Sequence, residues 1–252
     1  MQRCLVAGLL SLTLVSLGAT ADNAPAAPAP DYTFTSNVTL ASEYIYRGIA
    51  QSDNHPAVQG GFDFAHKSGF YVGTWASSIS WLNDEGAGSF PMEWDFYGGY
   101  KGTIVDDLGF DVGGLEYYYP GTRNAGFVNP DTFELYGGLN YKWASFKYSR
   151  SSGNLFGAAN SHGSNYFDLT LSPDLGEGWG AVAHVGRQTV AHFSLANYDD
   201  WKLGVTKDVG FGSVGLTYTG TNAKGNVGQP YYNAYGKDLG RGRVVLSFTK
   251  TM

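Results

Sequence analysis

Residues Thr33–Arg47 read TFTSNVTLASEYIYR, and the fold is decided by how this stretch is understood. Its even positions carry Phe34, Val38, Leu40, Tyr44 and Tyr46. Its odd positions carry Thr35, Asn37, Thr39, Glu43 and Arg47, with Ala41 and Ile45 as exceptions. A period of two sends alternate side chains to opposite faces of a strand. Fifteen residues is long for a soluble strand, which usually has about five or six. It suits a tilted strand that crosses a bilayer in roughly ten residues and projects beyond it. The last segment, Arg243–Met252, repeats the pattern with Val244, Leu246, Phe248 and Met252 on one face. The expectation is that these two ends pair and close an all-β, antiparallel up-and-down barrel with its apolar side facing outward into a bacterial outer membrane.

Between the two ends, alternating segments recur. In one of them Met92, Trp94, Phe96 and Tyr100 oppose Glu93, Asp95 and Lys101. About twelve strands are expected, joined by connections that read long, short, long, short throughout. Outer-membrane barrels sort their connections this way, with short periplasmic turns, long extracellular loops and an even strand number. A soluble β-sandwich, the alternative by composition, has no reason to do so. Gly113-Gly114 interrupts the alternation of its strand and is expected to mark a bulge.

The chain has 252 residues, with 36 glycines, 18 tyrosines, 15 phenylalanines and 6 tryptophans. Residues 1–21 have the form of a secretory signal peptide: Arg3, an apolar core from Leu5 to Leu17, and Ala19-Thr20-Ala21 as a cleavage site. Export through the Sec pathway is therefore expected. Residues 22–31 form an Ala/Pro-rich tether expected to be disordered, and residues 32–252 form the barrel. Cys4, the single cysteine, lies in the leader, so disulfides and thiolate metal sites are not expected in the mature chain. The net charge of −6 argues against nucleic acid as a partner.

Several stretches resemble the TorF-like family of proteobacterial outer-membrane porins. They are Ser42–Gln51 (SEYIYRGIAQ), Asp53-Asn54, Pro56–Asp63 (PAVQGGFD), Ser68–Ser77 (SGFYVGTWAS), Glu93–Lys101 (EWDFYGGYK), Tyr117–Gly121 (YYYPG) and Arg243–Lys250 (RVVLSFTK). The resemblance implies an outer-membrane barrel with a channel role and names no solute. One departure is Met252, where an aromatic terminus is expected in the final strand that the barrel-assembly machinery reads.

Charged residues on the polar strand faces are the candidate lumen-lining groups: Glu43, Arg47, Asp63, Glu93, Asp95, Lys101, Glu134 and Asp168. Such groups bias which ions enter a channel, or they fill a narrow interior with ion pairs. Twelve strands tilted by about 40° give a backbone radius of roughly 12 Å, so inward side chains leave at most a narrow pore. Acidic residues outnumber basic ones in this set, which points to a mild cation preference. Arg47-Gly48 is expected at a strand end, exposed to solvent, to lipopolysaccharide phosphate or to the pore mouth.

Tyr44, Tyr46, Trp81, Tyr141, Trp143 and Trp179 are the candidate aromatic girdle, with apolar rings in lipid and polar tips at the headgroups. Gly210–Gly215 matches G-x-G-x-x-G but runs into LTYTGT, which alternates like a strand, so a turn is expected there. His55, His66, His162, His184 and His192 form no close helical pair and are expected to be solvated, with no metal site. No catalytic residue and no cofactor is expected. The leading expectation is a channel for passive diffusion of small polar solutes, with outer-membrane lipid and lipopolysaccharide as its surroundings. Two alternatives are a lipid-directed barrel enzyme with a Ser/His pair at the outer rim, and a closed, adhesin-like barrel.

Overall fold

A computed structural model describes residues 30–252. The expected leader, and residues 22–29 of the expected tether, lie outside them. Twelve long strands follow in order: β1 (Tyr32–Ala41), β2 (Ala57–His66), β3 (Phe70–Ser78), β4 (Met92–Val105), β5 (Leu108–Tyr118), β6 (Thr132–Tyr141), β7 (Ala144–Ser151), β8 (Asn165–Leu171), β9 (Trp179–Thr189), β10 (Tyr198–Asp208), β11 (Ser213–Thr221) and β12 (Arg243–Thr251). Each pairs antiparallel with the next. β1 also pairs with β12, Asn37 opposite Thr251 and Ala41 opposite Ser247, and this pairing closes the barrel. A closed sheet leaves no edge, so every strand finds its ladder partners without water. Among the described residues no helix is long and apolar enough to cross a membrane.

The alternation in sequence becomes two unlike faces. Phe34, Leu40, Val58, Phe70, Leu135, Leu203 and Leu246 point outward and are each more than half exposed. Every one of the twelve strands carries at least one exposed large apolar side chain, a band that suits a hydrocarbon environment. Residues of the opposite parity, among them Thr39, Glu93, Glu134, Ser149 and Asp200, point inward and are buried.

Connections at one end are short: residues 67–69, 106–107, 142–143, 172–178 and 209–212. Those at the other end are long: residues 42–56, 79–91, 119–131, 152–164, 190–197 and 222–242. The turn expected at Gly210 is one of the short ones, and β11 begins at Ser213. The first long loop, residues 42–56, is called loop 1 below, and residues 222–242 are loop 6.

Two expectations require correction. The stretch Thr33–Arg47 is not one strand, because β1 ends at Ala41. Ser42 still reaches β12 through its backbone N–H and its Oγ, and the chain then turns into the barrel. Gly113-Gly114 carries no bulge, since both residues keep regular pairing with β4 and β6. Glycine is needed there for space. A Cβ on Gly113 would lie 2.5 Å from the Tyr136 hydroxyl inside, and one on Gly114 would lie 2.7 Å from the Phe133 ring outside.

Candidate functional site

Loop 1 carries the central feature of the interior. Ile45-Tyr46 pairs with Ile49-Ala50 in a small hairpin whose tip is Arg47-Gly48. Both tip residues have positive φ, 46° and 76°. Two such residues between paired positions make a type I′ turn, the tight turn whose twist matches the flanking strands. Glycine suits its position, since a Cβ there would overlap the Thr221 methyl and lie 2.8 Å from the Asp200 Cβ. Arginine is an unusual occupant of the left-handed region, at a cost on the order of 1 kcal/mol. Its side chain has the contacts that repay this cost.

The Arg47 guanidinium donates to both oxygens of Glu134, at 2.9 and 2.7 Å, and to Gln188 Oε1 at 2.9 Å. It stacks over the Tyr166 ring, 4.1 Å from its centroid, with Tyr46 at 4.8 Å. The planar fork of arginine matches a carboxylate in two bonds and an aromatic face in the third direction. Loop 1 is anchored between β1 and β2, whereas these partners stand on β6, β8 and β9. The hairpin therefore crosses the lumen. Both side chains of the pair are nearly fully buried.

Tyrosines complete the packing. Tyr44 Oη donates to Glu93 Oε1 and Tyr119 Oη to Glu93 Oε2, each at 2.7 Å. The hydroxyls of Tyr46 and Tyr117 lie 2.5 Å apart, and the Phe156 ring packs edge-on against both. The root of loop 1 is held to the barrel end by Glu43 with Arg243 Nε at 3.2 Å and by Asp53 with Lys237 Nζ at 2.8 Å. Arg241 donates to the Asn54 side chain at 3.0 Å.

Below this plug, toward the short turns, the inner face changes character. Tyr97 lies across Gly73 and donates to Asp63 at 2.6 Å. Tyr71 and Tyr136 lie toward each other across Gly99 and Gly113, their hydroxyls hydrogen-bonded together, with Tyr71 also donating to Asp111 at 2.6 Å. Inward glycines leave the space in which these rings lie against the wall. Lys101 stands opposite Asp111 across β4 and β5. These residues remain partly exposed, unlike those beside the plug.

All eight charged candidates stand on the inner side: Asp63 on β2, Glu93, Asp95 and Lys101 on β4, Glu134 on β6, Asp168 on β8, and Glu43 and Arg47 on loop 1. The structure brings Arg47 and Glu134 together and leaves Asp63 and Lys101 in the open half. Arg47 is not an exposed strand end. The aromatic candidates divide. Tyr141, Trp143 and Trp179 are exposed at the short-turn end. Tyr44, Tyr46 and Trp81 are not girdle residues, because the first two belong to the plug and Trp81 stacks edge-on against Tyr119 in the next long loop. Outward aromatics toward the long-loop end are instead Trp94, Tyr118, Trp201 and Tyr218.

His184, expected in solvent, is buried on the inner face of β9. Its Nε2 lies 2.9 Å from Asp200 and its Nδ1 3.3 Å from Asp168. Its parity with Gln188, opposite to Val185, was the signal available in the sequence. Among the described residues no group of three or more His, Cys, Asp or Glu is gathered to hold a metal ion. A Ser–His contact joins Ser68 to His66 at 2.7 Å in a short turn, at the end opposite to the long-loop rim.

The solved KdgM porin in complex with disordered oligogalacturonate shares this fold at 4% identity and a TM-score of 0.52, covering 87% of this chain and 98% of that one. The NanC porin does so at 8% identity and 0.52, again with 87% and 98% covered. No curated protein matches the sequence. The model of a family described as bacterial protein of unknown function (Gcw_chp) matches residues 25–252. The chain therefore belongs to the Gcw_chp family.

Proposed function

We propose that this protein is an outer-membrane porin of TorF-like type that passes small polar solutes and ions by passive diffusion, with loop 1 as its constriction. The observation that carries the reading is the cross-lumen hairpin held by Arg47 on Glu134 and Gln188 inside a closed, externally apolar barrel. In this reading the long loops face the cell exterior and the short turns face the periplasm, after export by the Sec pathway. Tyr141, Trp143 and Trp179 sit at the inner headgroups, and the exterior rim meets lipopolysaccharide. The β12 strand, ending in Met252, is what the assembly machinery reads.

Transport then involves no covalent step. Passage is set by the width beside loop 1 and by the inward charges, where acidic groups prevail and favour cations. That balance sets this lumen apart from one suited to an acidic oligosaccharide, such as the oligogalacturonate bound in the KdgM structure. Purified protein in a planar lipid bilayer should give discrete current steps, and a salt gradient should give a reversal potential of the sign for cation preference. Absence of steps, or a reversal potential of anion sign, would refute the respective part.

A further inference from the structure

The outer wall is not uniformly apolar. Toward the long loops, the outward strand positions among the described residues carry four charges: Glu116 on β5, Arg150 on β7, Arg187 on β9 and Asp199 on β10. Parity fixes the direction. Phe146, Phe167 and Val185 are exposed while Ser149, Tyr166, His184 and Gln188 are buried, so Arg150, Asn165 and Arg187 face outward. Both cations thus fall within three adjacent strands, β7 to β9. The outward faces of β11, β12 and β1 to β4 bear none at this end.

The three residues adjoin. Asn165 is the cross-strand partner of Arg150, and Arg187, opposite Phe167, is diagonal to Asn165 on its other side. Opposed residues lie about 5 Å apart at Cβ and diagonal ones about 7–8 Å, within reach of long side chains. Arg150 is exposed, and its guanidinium rests against Gly163 in the loop above, where a Cβ would come within 2.9 Å of Nη2. Arg47, Arg187 and Arg243 each have a carboxylate at ion-pair distance, but among the described residues Arg150 has none. Glu116 is set apart from it by β6. Arg187 gives Nη1 to Asp199 at 2.7 Å, while Asn222 donates to the other Asp199 oxygen at 3.0 Å. The Arg187 side chain is 58% exposed, and its remaining N–H groups have no protein partner. Two guanidiniums against one carboxylate leave positive charge facing outward.

The setting names the occupant. Leu135, Phe167, Leu169 and Val185 continue the apolar band just below, and Trp201, the next outward residue after Asp199, marks the headgroup level. A ligand here joins hydrocarbon chains to a negative headgroup. Arginine presents phosphate with a planar pair of N–H donors, and on a lipid-facing wall its guanidinium reaches for the interface. We propose that Arg150 and Arg187, with Asn165 between them, hold a phosphate group of a lipopolysaccharide molecule in the outer leaflet. The proposal rests on the reading above that the long loops face the exterior.

Native mass spectrometry of the folded protein in dodecyl maltoside, titrated with phosphorylated or dephosphorylated lipid A, tests it. Wild type should retain the phosphorylated lipid about tenfold more tightly. The double change Arg150→Gln with Arg187→Gln should remove that advantage. Lys250→Gln, which takes a cation from the outward face of β12 opposite Val38, should keep it. Equal retention of the two lipids by wild type overturns the site and needs no variant. So does an undiminished advantage in the double variant, or an equal loss in Lys250→Gln. Heat-modifiable migration on a gel checks that each variant is folded. Labelling of Asn54→Cys on intact cells reports the orientation separately. If it fails, the reading of the long loops falls and the assignment to lipopolysaccharide falls with it, whereas labelled cells with unchanged binding sink the phosphate site alone.

Discussion

At the long-loop end Ser77, Glu93, Thr132, Glu134 and Ser151 are almost wholly buried, whereas Lys101, Asp111, Lys202 and Thr206, on the same inner wall nearer the short turns, keep contact with water. Strand geometry does not separate the two halves, since the same strands and the same alternation run through both. The difference comes from loop 1, which brings Tyr44, Tyr46 and Arg47 into the first half and leaves the second to tyrosines lying against glycines. A barrel wall thus sets only which side chains point inward. What they then meet is decided by a segment that belongs to no strand of the wall.

The strongest way to break this contrast is to remove the hairpin. Replacing residues 45–50 by a short Gly/Ser link should raise single-channel conductance severalfold and admit larger solutes in a liposome-swelling assay. No change would mean that the narrowest point lies elsewhere.

Next in size is the pair that seats the hairpin. Glu134→Ala leaves Arg47 buried without its carboxylate, a loss of about 3–5 kcal/mol. It should lower the unfolding midpoint in detergent and make the current noisy. The double change Arg47→Ala with Glu134→Ala should recover part of the midpoint, because no lone charge remains. Losses that simply add in the double variant would show that the two residues do not act as a unit.

The open half is sharpened by Gly113→Val, which forces the Tyr136 ring off the wall. We expect a loss of about 1–3 kcal/mol from overpacking, together with reduced conductance. Unaltered conductance would show that this half does not limit flow. The smallest effect is expected for Lys237→Ala, whose side chain is more than a third exposed. Its pairing with Asp53 should contribute at most about 1 kcal/mol, and its loss should leave the current steps intact.

The wall was legible in the sequence because a period of two is its whole requirement. Val38 and Leu40 in β1, and Val244 and Leu246 in β12, face outward as their parity requires. The same parity misled at Tyr44 and Tyr46. A tyrosine has an apolar ring and a polar tip, so it fits a lipid headgroup and a buried carboxylate equally well. Hairpin pairing of Ile45-Tyr46 with Ile49-Ala50 also continues the alternation past the end of β1. The local clue was Arg47-Gly48 between two short apolar pairs, the place of a two-residue turn. Its destination was not legible, because Glu134 and Gln188 are distant in sequence and only barrel closure brings them opposite the tip. His184 illustrates the converse: its parity pointed inward, while its partners Asp168 and Asp200 come from neighbouring strands.

Thiol labelling tests the inward path of loop 1 most directly, since Cys4 is the sole cysteine and lies within the expected leader. Ala50, 1% exposed, is on the inner limb of the hairpin, and Asn54 is exposed at the root of the same loop. With a membrane-impermeant maleimide applied to folded protein, Asn54→Cys should be modified fully while Ala50→Cys remains unmodified over the same time. Equal labelling of the two would place the hairpin outside the barrel and contradict the constriction.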